Sequence, residues 1–288
     1  MPNWRHKEGL PMKEILTAQL YELMVIVYAV AIVLYFIDYI YKNVRARRVA
    51  FWLVCIVWVV QTIYFILFMV NVQRFPVLSL FEGIYFYAWL LITLSIGLHC
   101  IARVDMPVVF INGLAFAFMT IHLFAPADKV DNLLLGTSIV SEMLVIHIAI
   151  AIVSYAAFTV AFVFAILHLL LYKILKEKKY STMWNRLPNL SQTTKWISNS
   201  TIVGVPLLLI SLILGFEWAL LTVEDVKILD LKIIGSFFIS CIYLILLLLH
   251  RSGKLLGTTY AWCHIYAFLL IVLNFFLGNK LSDFHGWY

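Results

Sequence analysis

Eight stretches of this chain stay apolar for long enough to cross a lipid bilayer, and little sequence lies between them. They cover approximately 18–41, 49–71, 81–102, 106–125, 138–172, 197–222, 229–250 and 258–279, each close to or above the ~20 residues that a spanning helix needs. The apolar residues run continuously instead of alternating, so these are helices and not strands of a membrane barrel. Composition agrees. Of 288 residues, 64% are hydrophobic and 12% charged, against roughly 45–50% and about 25% in a soluble domain. The 21 Phe, 15 Tyr and 9 Trp exceed what a soluble core of this size hides. A soluble enzyme and a nucleic-acid-binding domain are thereby excluded. The sequence predicts an all-α integral membrane protein, a bundle of eight transmembrane helices, with residues 18–288 as a single domain behind a polar N-terminal segment, 1–17.

The loops predict an orientation, because Lys and Arg accumulate in short cytoplasmic loops. Of the 21 Lys and Arg, 13 fall in the first, third, fifth and seventh loops, most densely at Lys42, Arg45, Arg47 and Arg48 and across residues 173–195. Those loops are expected in the cytoplasm and both termini on the extracytoplasmic side, in a multi-pass protein of the plasma membrane. The net charge of +6 needs no nucleic-acid partner, since a basic face beside anionic lipid accounts for it. No small-residue cleavage site follows a short apolar core, so no cleavable signal peptide is expected, and Met12 is an alternative start.

Several chemistries are absent. Cys55, Cys100, Cys241 and Cys263 are isolated and lie in or at the ends of spans, so neither a thiol relay nor a zinc site is suggested. Tyr260 stands where the first cysteine of a c-type haem attachment motif ending at Cys263-His264 would be, which excludes covalent haem on this chain. Paired catalytic carboxylates, a nucleophile elbow and a phosphate-binding glycine loop are missing, so enzymatic activity is not expected. Glu82, at the start of the third span, suits the positive end of a helix dipole. Glu22 and Asp38 are expected at the interfaces of the first span. Gly204, Pro206 and Gly215 are expected to bend the sixth span or to let a neighbour approach closely.

Histidine is the polar residue that accumulates near the membrane. Charged groups there cost ~2.5–3.5 kcal/mol or more, so an intramembrane ionisable residue points to function by default. His122, His147 and His285 are expected in an outer layer and His99, His168, His250 and His264 in an inner one, separated by about 30 Å of hydrocarbon. Two layers suggest two sites. Neutral imidazole ligates metals and haem iron and stays uncharged in apolar surroundings, and an interior rich in Tyr and Trp suits a large flat cofactor. For each histidine the alternative is a hydrogen bond to a terminal carbonyl or a headgroup. A histidine proton relay in a secondary transporter is another alternative, but it calls for an internal repeat between halves, and none is convincing.

Four local patterns stand in order along the chain. They are Phe75-Pro-Val-Leu-Ser-Leu-Phe-Glu82 before the third span, Met143-Leu-Val-Ile-His147 followed by Tyr155-Ala-Ala-Phe158, Leu249-His250-Arg251 with Gly253 and Gly257 after it, and Asn274 followed by Leu281-Ser-Asp-Phe-His285-Gly286. Together they resemble the cytochrome c assembly protein family of the CcsA type, most closely its HemX-like branch, from about Phe75 to the C-terminus.

The resemblance implies b-type haem, bound non-covalently through paired histidines. His147 and His285 would ligate the iron of an external haem. His250 would ligate a second haem on the cytoplasmic side, where no motif identifies its partner; on depth alone His99 ranks first, then His264 and His168. Full cytochrome c synthases of this type carry a tryptophan-rich external signature between the sixth and seventh spans. Here only Trp218-Ala219, with Asp230 and Lys232, remains of it. HemX-like members lack the signature too, and are associated with haem biosynthesis, where they restrain the level of glutamyl-tRNA reductase. The resemblance therefore implies a non-enzymatic haem-binding regulator of tetrapyrrole synthesis, or else a haem-handling component of the cytochrome c maturation machinery. The implied partners are haem, the lipid bilayer, and either the reductase or a membrane protease meeting the 173–195 loop, or a maturation subunit.

Overall fold

Each apolar stretch becomes one helix. In the computed structural model, which describes residues 12–102, 105–124, 139–178, 188–222 and 231–281, these are α1 (Met12–Tyr41), α2 (Val44–Val72), α3 (Leu80–Ala102), α4 (Asp105–Leu123), α5 (Ile139–Lys176), α6 (Leu190–Thr222), α7 (Leu231–Arg251) and α8 (Gly257–Leu281). All eight contain a segment long and apolar enough to cross a membrane. Among the described residues all regular structure is helical, and the chain is a multi-pass membrane protein.

Helix starts depart from the hydropathy limits where a polar side chain can cap. Asn43 Oδ1 accepts from Arg45 N at 3.0 Å and Ala46 N at 3.2 Å, which satisfies two backbone donors that a helix start leaves open. α2 therefore begins at Val44, ahead of its apolar stretch, and Arg45, Arg47 and Arg48 ride on a helix instead of in a loop. Asn189 and Gln192 cap α6 reciprocally. Gln192 N donates to Asn189 Oδ1 at 2.7 Å and Asn189 N to Gln192 Oε1 at 3.2 Å, a capping-box geometry. The surface loop expected over 173–195 is accordingly shorter at both ends: α5 runs on to Lys176, and α6 opens at Leu190. Residues 190–195 were too polar to be counted in a span, yet Thr193 is fully buried there. Ser79 and Glu82 form the same reciprocal cap at the start of α3, with Glu82 N donating to Ser79 Oγ and Ser79 N to Glu82.

α5 is shared between two cores. Buried residues of α1 to α4, such as Tyr28, Val54, Ile92 and Ile111, form one cluster with Val160 and Phe164 of α5, in which α3 and α4 are the helices that touch α5. Phe158, on another face, packs with Leu208 of α6, Tyr243 of α7 and Ile271 of α8. Interhelical polar contacts fix the registers. Tyr21 Oη donates to Met119 O at 2.8 Å, and Tyr28 Oη to Asn112 Oδ1 at 2.9 Å, so α1 and α4 run antiparallel. Asp38 is turned into the bundle, buried at 5% exposure and close to Tyr35. Arg47 and Asp105 form an ion pair. Glu22 is exposed. α6 remains helical through Pro206, and both nearby glycines serve close approach: a Cβ on Gly204 would meet the Phe158 ring at 2.6 Å, and one on Gly215 would collide with the His147 ring.

Candidate functional site

The α5–α6 hairpin sets the site. His168 of α5 meets Thr193 at the start of α6, whereas His147 meets Ser211 near its end, so the two helices run antiparallel with histidines near both ends of their contact. His122, in the last turn of α4, shares the His147 end. His99 is in the last turn of α3 and His250 in the last turn of α7, and with His264 and His168 they occupy the opposite end. His285 lies outside the described residues.

His147 is held by α6 on two sides. Its Nδ1 lies 2.5 Å from the Ser211 carbonyl and 3.1 Å from Ser211 Oγ, and that hydroxyl donates to the His147 carbonyl at 2.9 Å. A carbonyl oxygen only accepts, so Nδ1 carries a hydrogen, and in the neutral ring the lone pair therefore sits on Nε2. The ring lies against Gly215, one turn beyond Ser211, which has no side chain to exclude it. Lys232, in the first turn of α7, is close enough to act on the ring electrostatically. α8 approaches the same level. The Phe162–Phe268 stack, with ring centroids 4.3 Å apart, pairs α5 with α8, and equal rises along both helices bring Leu281 to about the level of Ala149. His285 follows four residues later in sequence.

At the other end the rings form a cluster. His250 Nδ1 donates to the Leu255 carbonyl at 3.0 Å, which again leaves the lone pair on Nε2. The His250 ring stacks on Tyr260, with centroids 4.0 Å apart and planes 11° apart. Tyr260 in turn meets His264 edge-on at 4.4 Å. His264 is fully buried; its Nδ1 bonds the Tyr260 carbonyl and its Nε2 the Thr201 hydroxyl, each at 3.0 Å. The structure thus brings His264 next to His250 with one ring between them. His99, ranked first on depth, instead stacks on Phe51 of α2 at 4.1 Å. His168 is buried and bonded to Thr193 Oγ1 at 2.8 Å. His122 lies against Tyr21 and Tyr85 beside a cavity of about 60 Å³ lined by Tyr64, Phe65, Ser79 and Glu82 among others. No group of three or more His, Cys, Asp or Glu that could hold a metal ion occurs among the described residues. The four cysteines are unpaired.

Sequence reasoning missed Ser211, Tyr260 and Thr201. Tyr260 and Thr201 left no local signal. Ser211 and Gly215 did, as small residues four apart in an apolar helix, the spacing that lets two membrane helices come close.

A neutral imidazole, its ring fixed through Nδ1 and its lone pair left on Nε2, is a donor suited to haem iron. The family model described as cytochrome C assembly protein matches residues 77–285. The chain belongs to the cytochrome c assembly protein family. The match starts inside the Phe75–Glu82 pattern, ends on His285 and takes in His147 and His250. Two relatives extend the similarity to nearly the whole chain. Protein HemX of Bacillus subtilis (strain 168) is 41% identical over 271 residues, covering 94% of this chain and 98% of that protein. Protein HemX of Brevibacillus brevis is 32% identical over 269 residues, covering 93% and 98%. The resemblance stated from short motifs is therefore a family relationship over the full length of these relatives.

Proposed function

We propose that the chain binds b-type haem without a covalent link and acts as a HemX-like regulator of tetrapyrrole synthesis in the plasma membrane, restraining the level of glutamyl-tRNA reductase without catalysis of its own. The observation that carries this reading is the His147 side chain, whose Nδ1–H is spent on the Ser211 carbonyl, so that the neutral ring leaves Nε2 for a metal. Bound haem would supply an iron that takes neutral imidazole as a ligand. His147 of α5 and His285, which follows α8 in sequence, would hold it, and Lys232 would place a positive charge beside His147. His250, oriented by the Leu255 carbonyl and packed on Tyr260, would ligate a second haem at the opposite end. His264 is the nearest histidine to it, and His99, at the same end, is the rival. The distribution of Lys and Arg supports an orientation with both termini extracytoplasmic and the His147 end outside.

A second reading is favoured by the family description itself: a haem-handling component of cytochrome c maturation. The shortness of the tryptophan signature, reduced to Trp218-Ala219 with Asp230 and Lys232, weighs against thioether ligation by this chain. Deleting the gene distinguishes the two. The regulatory reading expects raised glutamyl-tRNA reductase with normal c-type cytochromes; loss of c-type cytochromes with unchanged reductase would replace it with the second.

A further inference from the structure

We propose that Ser211 and Gly215 of α6 are positioning residues for His147 as a haem ligand, an inference that rests on the haem reading above. The clamp on this ring has two parts. Ser211 holds Nδ1 through its carbonyl at 2.5 Å and ties α6 to the His147 backbone through its hydroxyl at 2.9 Å. Gly215 leaves the space in which the ring lies, because a Cβ there would collide with Cε1 and Nδ1 and come within 2.9 Å of Nε2. The direction of the lone pair is thus set by α6 and not by α5, the helix that carries the histidine. One turn separates Ser211 from Gly215, so the ring spans both, with the carbonyl acceptor fixing the hydrogen on Nδ1 and Gly215 admitting the ring. A metal-binding histidine held by a carbonyl at its other nitrogen is oriented and made more basic by that partner.

α6 also contains its own control. A Cβ on Gly204 would meet the Phe158 ring at 2.6 Å, a comparable collision between the same two helices, about three turns from Gly215. Ser154 Oγ donates to the Gly204 carbonyl at 2.9 Å, so this contact is also a tight one. Gly204→Ala and Gly215→Ala therefore disturb α5–α6 packing alike, but only the second touches the ligand.

The experiment compares full-length wild type, His147→Ala, Gly215→Ala, Gly204→Ala and Ser211→Ala, purified in detergent after expression with ample haem. It reads haem per chain, haem affinity and the low-spin bis-histidine signal. Gly215→Ala is expected to lose the part of that signal lost in His147→Ala, with haem affinity at that site down on the order of 10–100-fold. Gly204→Ala should keep the wild-type signal even if it unfolds more easily. Ser211→Ala keeps the carbonyl bond and should weaken haem several-fold while retaining the low-spin signal. A wild-type spectrum and affinity in both Gly215→Ala and Ser211→Ala, or equal loss in Gly204→Ala and Gly215→Ala, would overturn the proposal. If His147→Ala itself leaves haem content and spectrum unchanged, the haem site assigned to His147 fails and the positioning role fails with it.

Discussion

Arg74 and Glu82 meet through two parallel hydrogen bonds across the turn into α3, with Nη1 and Nη2 each donating to the carboxylate at 2.9 Å. The same carboxylate accepts from Leu78 N and Ser79 N, so one side chain neutralises a cation and caps a helix. The proline–serine–glutamate stretch, which helped to reveal the family, has a structural role here. Glu82 is 5% exposed and Arg74 20%. Removing one member of such a pair costs ~3–5 kcal/mol when both are buried, and the partial exposure of Arg74 places Glu82→Ala at the lower end, about 3 kcal/mol. Denaturant titration in detergent of Glu82→Ala, Arg74→Ala and the double variant should give a clear coupling energy; additive losses would contradict the pairing.

Tyr28 and Asn112 tie α1 to α4 in the middle of the first core. Asn112 accepts from Tyr28 and donates to Ser95 Oγ at 3.0 Å and Val108 O at 2.8 Å. Interhelical hydrogen bonds in membranes average ~0.6 kcal/mol and reach about 1.7, so Tyr28→Phe is expected to lower unfolding free energy by about 1 kcal/mol. Asn112→Leu should cost more, because it removes the bonds to Ser95 and Val108 as well, leaves Tyr28 Oη only the Asn112 carbonyl at 3.1 Å, and overfills a fully buried site. Equal, negligible losses would show that α1 is held by packing alone.

His250 and His264 share Tyr260 as a neighbour but are expected to separate on substitution. His264 has both nitrogens bonded and no exposure, whereas His250 has only Nδ1 tied down. His250→Ala should lower haem per chain with little loss of thermal stability. His264→Ala should lower stability first, and His99→Phe, which preserves the ring stack on Phe51, should change neither. A fall in haem content with His99→Phe equal to that with His250→Ala would instead make His99 the second ligand.

Orientation has its own test. Alkaline phosphatase fused after Tyr288 should be active in intact cells and a fluorescent-protein fusion at the same place dark. The reverse pattern would invert the bundle and place His147 in the cytoplasm.

The eight helices were legible because hydropathy over about 20 residues is a physical requirement of the bilayer. Their ends were less so, since Asn43 and Asn189 cap helices inside polar sequence that hydropathy counts as loop. The burial of Asp38 was not legible for a related reason: its place along α1 is interfacial, but the helix turns it inward, and rotation is set by packing and not by depth. His147 and His250 were visible as types at a depth, and family motifs supplied their roles. What holds them, the carbonyls of Ser211 and Leu255, could not be read at all, because every residue has a carbonyl and only the pairing of α5 with α6, or the turn after α7, decides which one a ring meets.

The most direct test is the absorption spectrum of the purified protein beside His147→Ala, His285→Ala and the double variant, all expressed with ample haem. The account predicts a Soret band in wild type, a comparable loss of haem in each single variant and little further loss in the double, as expected for two ligands of one iron. A colourless wild-type protein, or a band unchanged by both substitutions, would contradict it.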